Sequence, residues 1–106
     1  VTGATGSVII GSADSKTATS VKGATILGHN ANVSVEGGVA LGAGSAASID
    51  KDQHGYNFLT KAASTSDEKE WKSSWAAVSV GDAEHTRQIT NWLQALMIQM
   101  LSMWLS

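Results

Sequence analysis

Three histidines are the side chains of this sequence best suited to bind a metal ion or to move a proton. They stand at His29, His54 and His85. A zinc site requires several ligands at short and regular spacing, whereas these histidines are far apart and no other His or carboxylate completes a set around them. The sequence therefore predicts exposed histidines in separate turns and no metal site.

Carboxylates suited to acid–base chemistry are concentrated in one stretch, at Asp50, Asp52, Asp67, Glu68 and Glu70. Such chemistry needs a positioned partner within hydrogen-bond reach of the substrate, and no nucleophile or histidine stands near them in a recognisable arrangement. The glycine-rich stretches "GATG" and "GAGSAAS" lack the helix and the lysine of a phosphate-binding loop. We predict a solvated charged loop, no catalytic residue, no cofactor and no enzyme activity.

Composition and charge exclude further classes of partner. The chain has 7 Lys and Arg against 9 Asp and Glu, and its basic residues do not cluster. Nucleic acid binding needs concentrated positive charge, so we predict no nucleic-acid partner. The absence of cysteine excludes disulfides and thiol chemistry. No signal segment opens the sequence, so an exported form is expected to be a mature fragment.

A short apolar motif that ends in glycine occurs four times, as "SVIIG", "ATILG", "GVALG" and "AVSVG". These repeat motifs end at Gly11, Gly28, Gly42 and Gly81, so the steps between them are 17, 14 and 39 residues. Repeats of this length indicate a solenoid, in which each coil buries its apolar face by stacking on its neighbours. The four glycines are predicted at turns with positive φ or where another backbone passes closely.

Within one repeat, Ala31, Val33 and Val35 alternate with polar residues, which is the period of a strand. A turn at Gly37-Gly38 and a second short strand at residues 39–41 follow. Two short strands and two turns per coil predict a narrow β-roll with small residues facing inward. The predicted inward residues are Ala13, Ala18, Ala31 and Ala46. A polar chain with eleven glycines could also be disordered, but recurrent apolar strands argue against disorder.

Residues 50–75 interrupt the repeat and are predicted to form an insertion. This stretch holds the only Tyr and the only Phe of the chain and two of its four Trp. Large aromatic side chains usually anchor a core or an interface, so we predict an aromatic cluster that packs the insertion onto the roll or contacts another subunit, with Trp75 sealing the junction. A ligand-binding aromatic patch is the alternative. The cluster consists of Tyr56, Phe58, Trp71 and Trp75.

The end of the chain has the spacing of a coiled coil. Its apolar residues recur at intervals of four and three, at Ile89, Leu93, Leu96, Met100 and Met103. Residues 92–106 carry no charge, unlike a soluble coiled coil, and fifteen residues are too few to span a bilayer. We interpret residues 92–106 as a short apolar helical tail, either non-native or a truncated stalk, without direct membrane insertion.

Together these motifs resemble the YadA-like heads of the trimeric autotransporter adhesins of Gram-negative bacteria. The resemblance extends from about Gly6 to Asn91. "SVIIG", "ATILG" and "GVALG" match the family's head repeats, while "GYN" and the later "WKS" resemble its head-insert motif. "AVSVGDAEHTRQITN" resembles the neck that joins head to stalk. After Asn91 the family continues with small residues, whereas this chain has Trp92-Leu93, which supports a truncated fragment.

The resemblance implies an all-β fold, a left-handed parallel β-roll or β-solenoid that assembles as a homotrimer, with a neck leading into a short C-terminal coiled-coil helix. Accordingly, residues 1–49 are predicted as head repeats, 50–75 as the head insert, 76–91 as the last strand and neck, and 92–106 as the tail. Neck residues implied to make contacts within the trimer are Arg87, Gln88 and Ile89.

The function implied by the resemblance is adhesion. Such a head stands on the cell surface, away from the outer membrane, and attaches to extracellular matrix, host cells or other bacteria through many weak contacts. Two alternatives stay open. A trimeric acyltransferase with a left-handed β-helix would need six-residue repeats and leaves the neck unexplained, and a structural spacer of a surface fibre cannot be separated from an adhesin by sequence.

Overall fold

The chain forms short β-strands and no helix in the part that the computed structural model describes, residues 4–14 and 20–93. The all-β prediction is confirmed for these residues. The predicted coiled-coil positions from Leu96 onward lie outside them. The strands are β1 (Val8–Ile10), β2 (Thr25–Leu27), β3 (Asn32–Val33), β4 (Val39–Leu41), β5 (Ala46–Ala47), β6 (Tyr56–Asn57), β7 (Ala62–Ala63) and β8 (Val78–Ser79).

Each of the four repeat motifs contributes one strand to a parallel sheet with the order β1-β2-β4-β8. Val8 lies opposite Thr25, Thr25 opposite Val39, and Val39 opposite Val78. These offsets of 17, 14 and 39 residues are the steps between the glycines of the motifs. The repeat spacing therefore predicts the register of the sheet correctly, including the return after the insertion.

A second, two-stranded parallel sheet pairs β3 with β5, and the two sheets share one small core. The predicted alternation is confirmed, because Ala31 and Val33 are buried while Asn32 and Ser34 are exposed. We call one passage of the chain through both sheets a coil. The core side chains are small enough for two sheets in close contact, and they are Ala24, Ile26, Ala31, Val33, Ala40 and Ala47.

The predicted inward alanines are correct at one position and wrong at another. Ala31 is buried as expected, but Ala46 is exposed and Ala47 is buried in its place. The reason is register, since Ala47 pairs with the inward Val33 and a shift of one residue exchanges the two faces of a strand. Ala13 is half-buried, and Ala18 lies outside the described residues.

The glycines that end the first three repeat motifs stand where successive coils approach most closely. Their φ angles are 137° at Gly11, 139° at Gly28 and 102° at Gly42. A Cβ atom on Gly11 would lie 2.6 Å from the carbonyl oxygen of Gly28, and one on Gly28 would lie 2.5 Å from the carbonyl carbon of Gly42. At Gly11 and Gly28 the space for the missing side chain is therefore filled by the backbone of the next coil, as predicted.

The insertion leaves the coils after β5 and returns at β8. It contains an antiparallel hairpin of β6 and β7, with Tyr56 opposite Ala63. At its base, the Ala77 amide donates to the carbonyl of Ile49 over 3.0 Å. This bond brings the two ends of the insertion together, so the coil can continue in register.

We predict that Gly28→Ala destabilises the protein more than Gly37→Ala. Both glycines have positive φ, at 139° and 72°, but a Cβ on Gly37 meets no atom within 4 Å. Gly37→Ala should therefore cost only the backbone strain, about 1 kcal/mol, whereas Gly28→Ala adds a collision with backbone and should cost about 3 kcal/mol or more. Urea denaturation of both variants measures the difference, and equal losses would contradict close coil packing at Gly28.

Candidate functional site

The outward side chains of the four-stranded sheet form an apolar surface, which we call the outer face. Val78 is 60% exposed and Ile10 is 59% exposed, although both are large and apolar. The sheet register places these side chains in two neighbouring rows. Contiguous exposed apolar surface usually marks an interaction site. The outer face consists of Val8, Ile10, Leu27, Val39, Leu41 and Val78.

The two sides of this sheet have similar polarity. Ile26 is buried inward while its neighbour Leu27 points outward, and Thr25 is the one polar residue among the outward positions of β1, β2 and β4. A sheet with one side in water normally alternates apolar and polar residues, whereas strands covered on both sides are apolar throughout. The outer face therefore has the composition of a surface that is covered by protein.

Arg87 in the neck closes the end of the stacked coils. Its Nη1 donates to the carbonyl of Val80 at 2.7 Å and to Ser45 Oγ at 3.0 Å, and its Nη2 donates to the carbonyl of Ala43 at 2.8 Å. The planar guanidinium group offers several donors in a fixed arrangement, which suits a row of carbonyl oxygens. Arg87 thereby ties the neck to the last turn of the coils.

Gly42 and Ser45 provide the place for this guanidinium group. A Cβ on Gly42 would lie 2.8 Å from Arg87 Cζ, so Arg87 occupies the position that another coil takes over Gly11 and Gly28.

Ser45 is completely buried and donates from Oγ to the carbonyl of Leu41 at 2.6 Å while accepting from Arg87. Ser45 is not among the site residues predicted from the sequence. The available signal is that Ser45 stands fourteen residues after the core residue Ala31, where the repeat changes from alanine to serine.

The neck residues predicted to contact other subunits have different environments. The three Arg87 hydrogen bonds described above lie within its own chain, where they close the coils, and a contact of Arg87 with a second subunit stays a prediction. Gln88 is exposed, and Ile89 is 65% exposed. Contacts of Gln88 and Ile89 within a trimer stay a prediction.

The neck begins with a tight turn that depends on Asp82. Its Oδ1 accepts hydrogen bonds from the amides of Glu84 at 2.9 Å and His85 at 2.8 Å, and it lies 2.9 Å from His85 Nδ1. The bond from the Glu84 amide, followed by that to the His85 ring, holds the pKa of the Asp82 carboxyl below its usual value. The last repeat glycine, Gly81, packs against this turn, because a Cβ there would collide with the carbonyl oxygen of His85.

The three histidines are exposed, as predicted, and each contacts one aspartate. His54 Nε2 lies 3.2 Å from Asp67 Oδ1, and His85 pairs with Asp82 in the neck. Bonds from His54 first and then Lys72 lower the pKa of Asp67. Within residues 4–14 and 20–93, His and carboxylates form no group that could hold a metal ion.

Ser12, His29 and Asp14 are the residue types of a hydrolase triad, but their arrangement joins two coils. His29 lies 2.8 Å from Ser12 Oγ through Nδ1 and 3.3 Å from Asp14 through Nε2. Asp14 is 82% exposed, and its backbone amide donates to Asn30 Oδ1 at 2.9 Å. The bond from Asn30 Nδ2 to the Asp14 carboxylate, followed by the charge of His29, lowers the pKa of this carboxyl group. These contacts give a polar link between adjacent turns that is open to water.

The aromatic residues of the insertion are all exposed, Trp75 at 85% and Tyr56 at 65%. Trp75 is therefore left largely uncovered by its own chain, and a contact that seals the junction against another subunit stays a prediction. Trp75 forms one wall of a cavity of about 690 Å³ between the insertion and the coils, which we call the Trp75 groove. The groove is lined by Val21, Gly23, Ser34, Val35, Glu36, Gly37, Asp50, Lys51, Ser74, Trp75 and Ala76.

No protein-family model and no curated protein matches the chain. The described residues contain no helix of the length and apolarity needed to cross a membrane.

We predict that Arg87→Ala destabilises the end of the coils. Loss of three hydrogen bonds from a charged donor, two of them to backbone carbonyls, should cost about 1–2 kcal/mol, and Arg87→Lys should recover only part because one ammonium group cannot match the planar set. Thermal denaturation and amide exchange at residues 45–47 measure the effect. Lys69→Ala removes an exposed charge from the insertion, so it should change neither the thermal denaturation nor the amide exchange. Equal effects of the Arg87 and Lys69 substitutions would contradict the role of Arg87 in closing the coils.

We predict that Asp82 makes the stability of the neck depend on acidity. Its pKa is lowered from 3.8 in the folded chain, so its contribution is complete above the unfolded pKa and is lost as pH falls below 3.8 through the lower folded value. Thermal unfolding across this range should decline more steeply in the parent than in Asp82→Asn. Asp14 and Asp67 are present in both proteins, so their contributions cancel. Identical slopes would contradict a stabilising Asp82 carboxylate.

Proposed function

We propose that this chain is the head of a homotrimeric surface adhesin, built as a left-handed parallel β-roll whose neck leads into a coiled-coil stalk. The outer face carries this proposal. The inner side of this sheet is already covered, and its outer side carries a row of apolar side chains. Such a row is typical of a sheet that a second protein surface covers. Two neighbouring copies of the same roll supply that surface.

A closed trimer would also stabilise so thin a fold. The core of one chain consists of four alanines, one isoleucine and one valine, so the apolar area buried within a single roll is small. In a closed ring with rotational symmetry, each copy covers the outer face of its neighbour, so no outer face stays exposed. The number of subunits follows from the resemblance to the YadA-like heads.

The neck fits the narrowing of such a head toward a stalk. Arg87 ends the stack of coils, and the following apolar residues Ile89 and Leu93 are 65% and 85% exposed. Their spacing continues the coiled-coil pattern. Exposed seam residues directly after the closure are expected where three chains come together.

Adhesion by repeated weak contacts is the activity that this architecture supports best. Three copies per head, and many heads on one cell, raise the strength of attachment without a tight single site. We place the head outside a Gram-negative cell, with extracellular matrix or host cells as partners. Coils of 14 and 17 residues differ from the six-residue repeat of the acyltransferase class, so that alternative gains no support.

We predict that Leu27→Asp breaks the trimer and the adhesion together. A charge on the outer face would be buried without a partner between subunits, whereas Asn32→Asp adds the same charge on the exposed side of β3. Light scattering should give a trimeric mass for the parent and Asn32→Asp and a monomeric mass for Leu27→Asp. Binding to surfaces coated with collagen, fibronectin or laminin should fall by about 100-fold in Leu27→Asp because avidity is lost.

The two parts of this proposal fail separately. A parent chain that is folded and monomeric would contradict the trimeric roll. A parent trimer that binds none of the coated surfaces would contradict adhesion and favour the spacer. Trimeric Leu27→Asp would show that the outer face is not the contact between subunits.

A further inference from the structure

The Trp75 groove is a concave surface outside the outer face. One side is the coil turn that contains Val35 and Glu36, and the other is the base of the insertion, with Asp50 and Trp75. Because both sides belong to one chain, the groove is complete in each subunit. Concave sites with an apolar lining and a few polar groups are the usual form of a binding site.

Trp75 has the properties of a binding anchor. Tryptophan is among the residues that contribute most binding energy at interfaces, and this one is 85% exposed. Val21 and Val35, both half-buried, add an apolar lining to the same groove. An aliphatic stem with a polar tip fits such a lining.

The charges of the groove determine which polar group a bound side chain carries at its end. Glu36 and Asp50 each contribute a carboxylate, while Lys51 is the one cation among the lining residues. Both carboxylates are exposed, and Asp50 Oδ1 accepts a hydrogen bond from the Lys51 amide at 2.7 Å. An indole face attracts a cation, and two carboxylates at the rim add to that attraction. The complementary group is a lysine or arginine side chain.

We propose that the Trp75 groove binds a lysine or arginine side chain of a basic polypeptide segment in the partner. The cation lies over the indole of Trp75 with its charge toward Glu36 and Asp50, and its aliphatic stem contacts Val21 and Val35. The proposal rests on the adhesive function for the biological source of that segment. The groove itself lies within one subunit and is measurable whether or not the head adheres.

The test is the affinity of the full chain for a defined probe, an octapeptide of alternating glycine and arginine, measured by calorimetry at low salt. Trp75→Ala should weaken binding at least about threefold, and Glu36→Gln and Asp50→Asn should each weaken it about twofold. Asparagine keeps an oxygen for the Lys51 amide. Lys51→Gln should strengthen binding about twofold, because it removes the opposing charge.

Glu70→Gln is the matched control, because it removes an exposed carboxylate of the insertion that does not line the groove. It should bind the octapeptide like the parent. An octapeptide of alternating glycine and glutamate should not bind, and a neutral oligosaccharide, maltoheptaose, should not compete. Light scattering of every variant reports the oligomeric state in the same samples.

Three results would overturn the proposal. The first is no binding of the arginine octapeptide by the parent. The second is binding of maltoheptaose that the charge substitutions leave unchanged, which would make the groove a site for neutral sugars. The third is a Trp75→Ala variant that changes the oligomeric state but not the peptide affinity, which would make Trp75 a contact between subunits. A monomeric parent that still binds the peptide would contradict the proposed trimer and leave the groove in place.

Discussion

Close backbone contact between successive coils is the constraint on which the rest of this structure depends. Parallel strands in adjacent coils hydrogen-bond in register only if the turns beside them can also approach, and Gly11 and Gly28 allow this because the next coil fills the place of their side chains. At Gly42 the same place is taken by Arg87. The space beside a glycine therefore lets one coil stack on the next and, at Gly42, holds the Arg87 side chain that ends the stack.

This packing makes each coil thin, and a thin coil has little room for large side chains in its interior. Side chains as small as Ala24, Ala40 and Ala47 fill the space between the two sheets, so little apolar area is buried inside one chain. The larger side chains of the repeat motifs, such as Ile10 and Leu27, point outward instead. The outward apolar side chains are the surface through which we propose that copies of the chain contact one another.

The sequence predicts the periodic part of this fold well and the local exceptions poorly. Glycine spacing predicts the sheet register and the return after the insertion, because both follow from a repeated backbone contact. The burial of Ala47 rather than Ala46 follows from the same fourteen-residue offset, which pairs Ala47 with the inward Val33. The bond of Arg87 to Ser45 joins residues 42 positions apart, and the exposure of Trp75 depends on how the insertion folds back. Such contacts exist only in three dimensions and have no period in the sequence.

The central claim is that the outer face is a contact between copies of the chain. The most direct measurement is an isotope-filtered NOE experiment on oligomers that mix labelled and unlabelled subunits. We expect NOEs between subunits at the methyl groups of Val8, Leu27 and Val78, and none at Val33, which is buried within its own chain. An absence of NOEs between subunits at the outer face, in a folded chain, would contradict it.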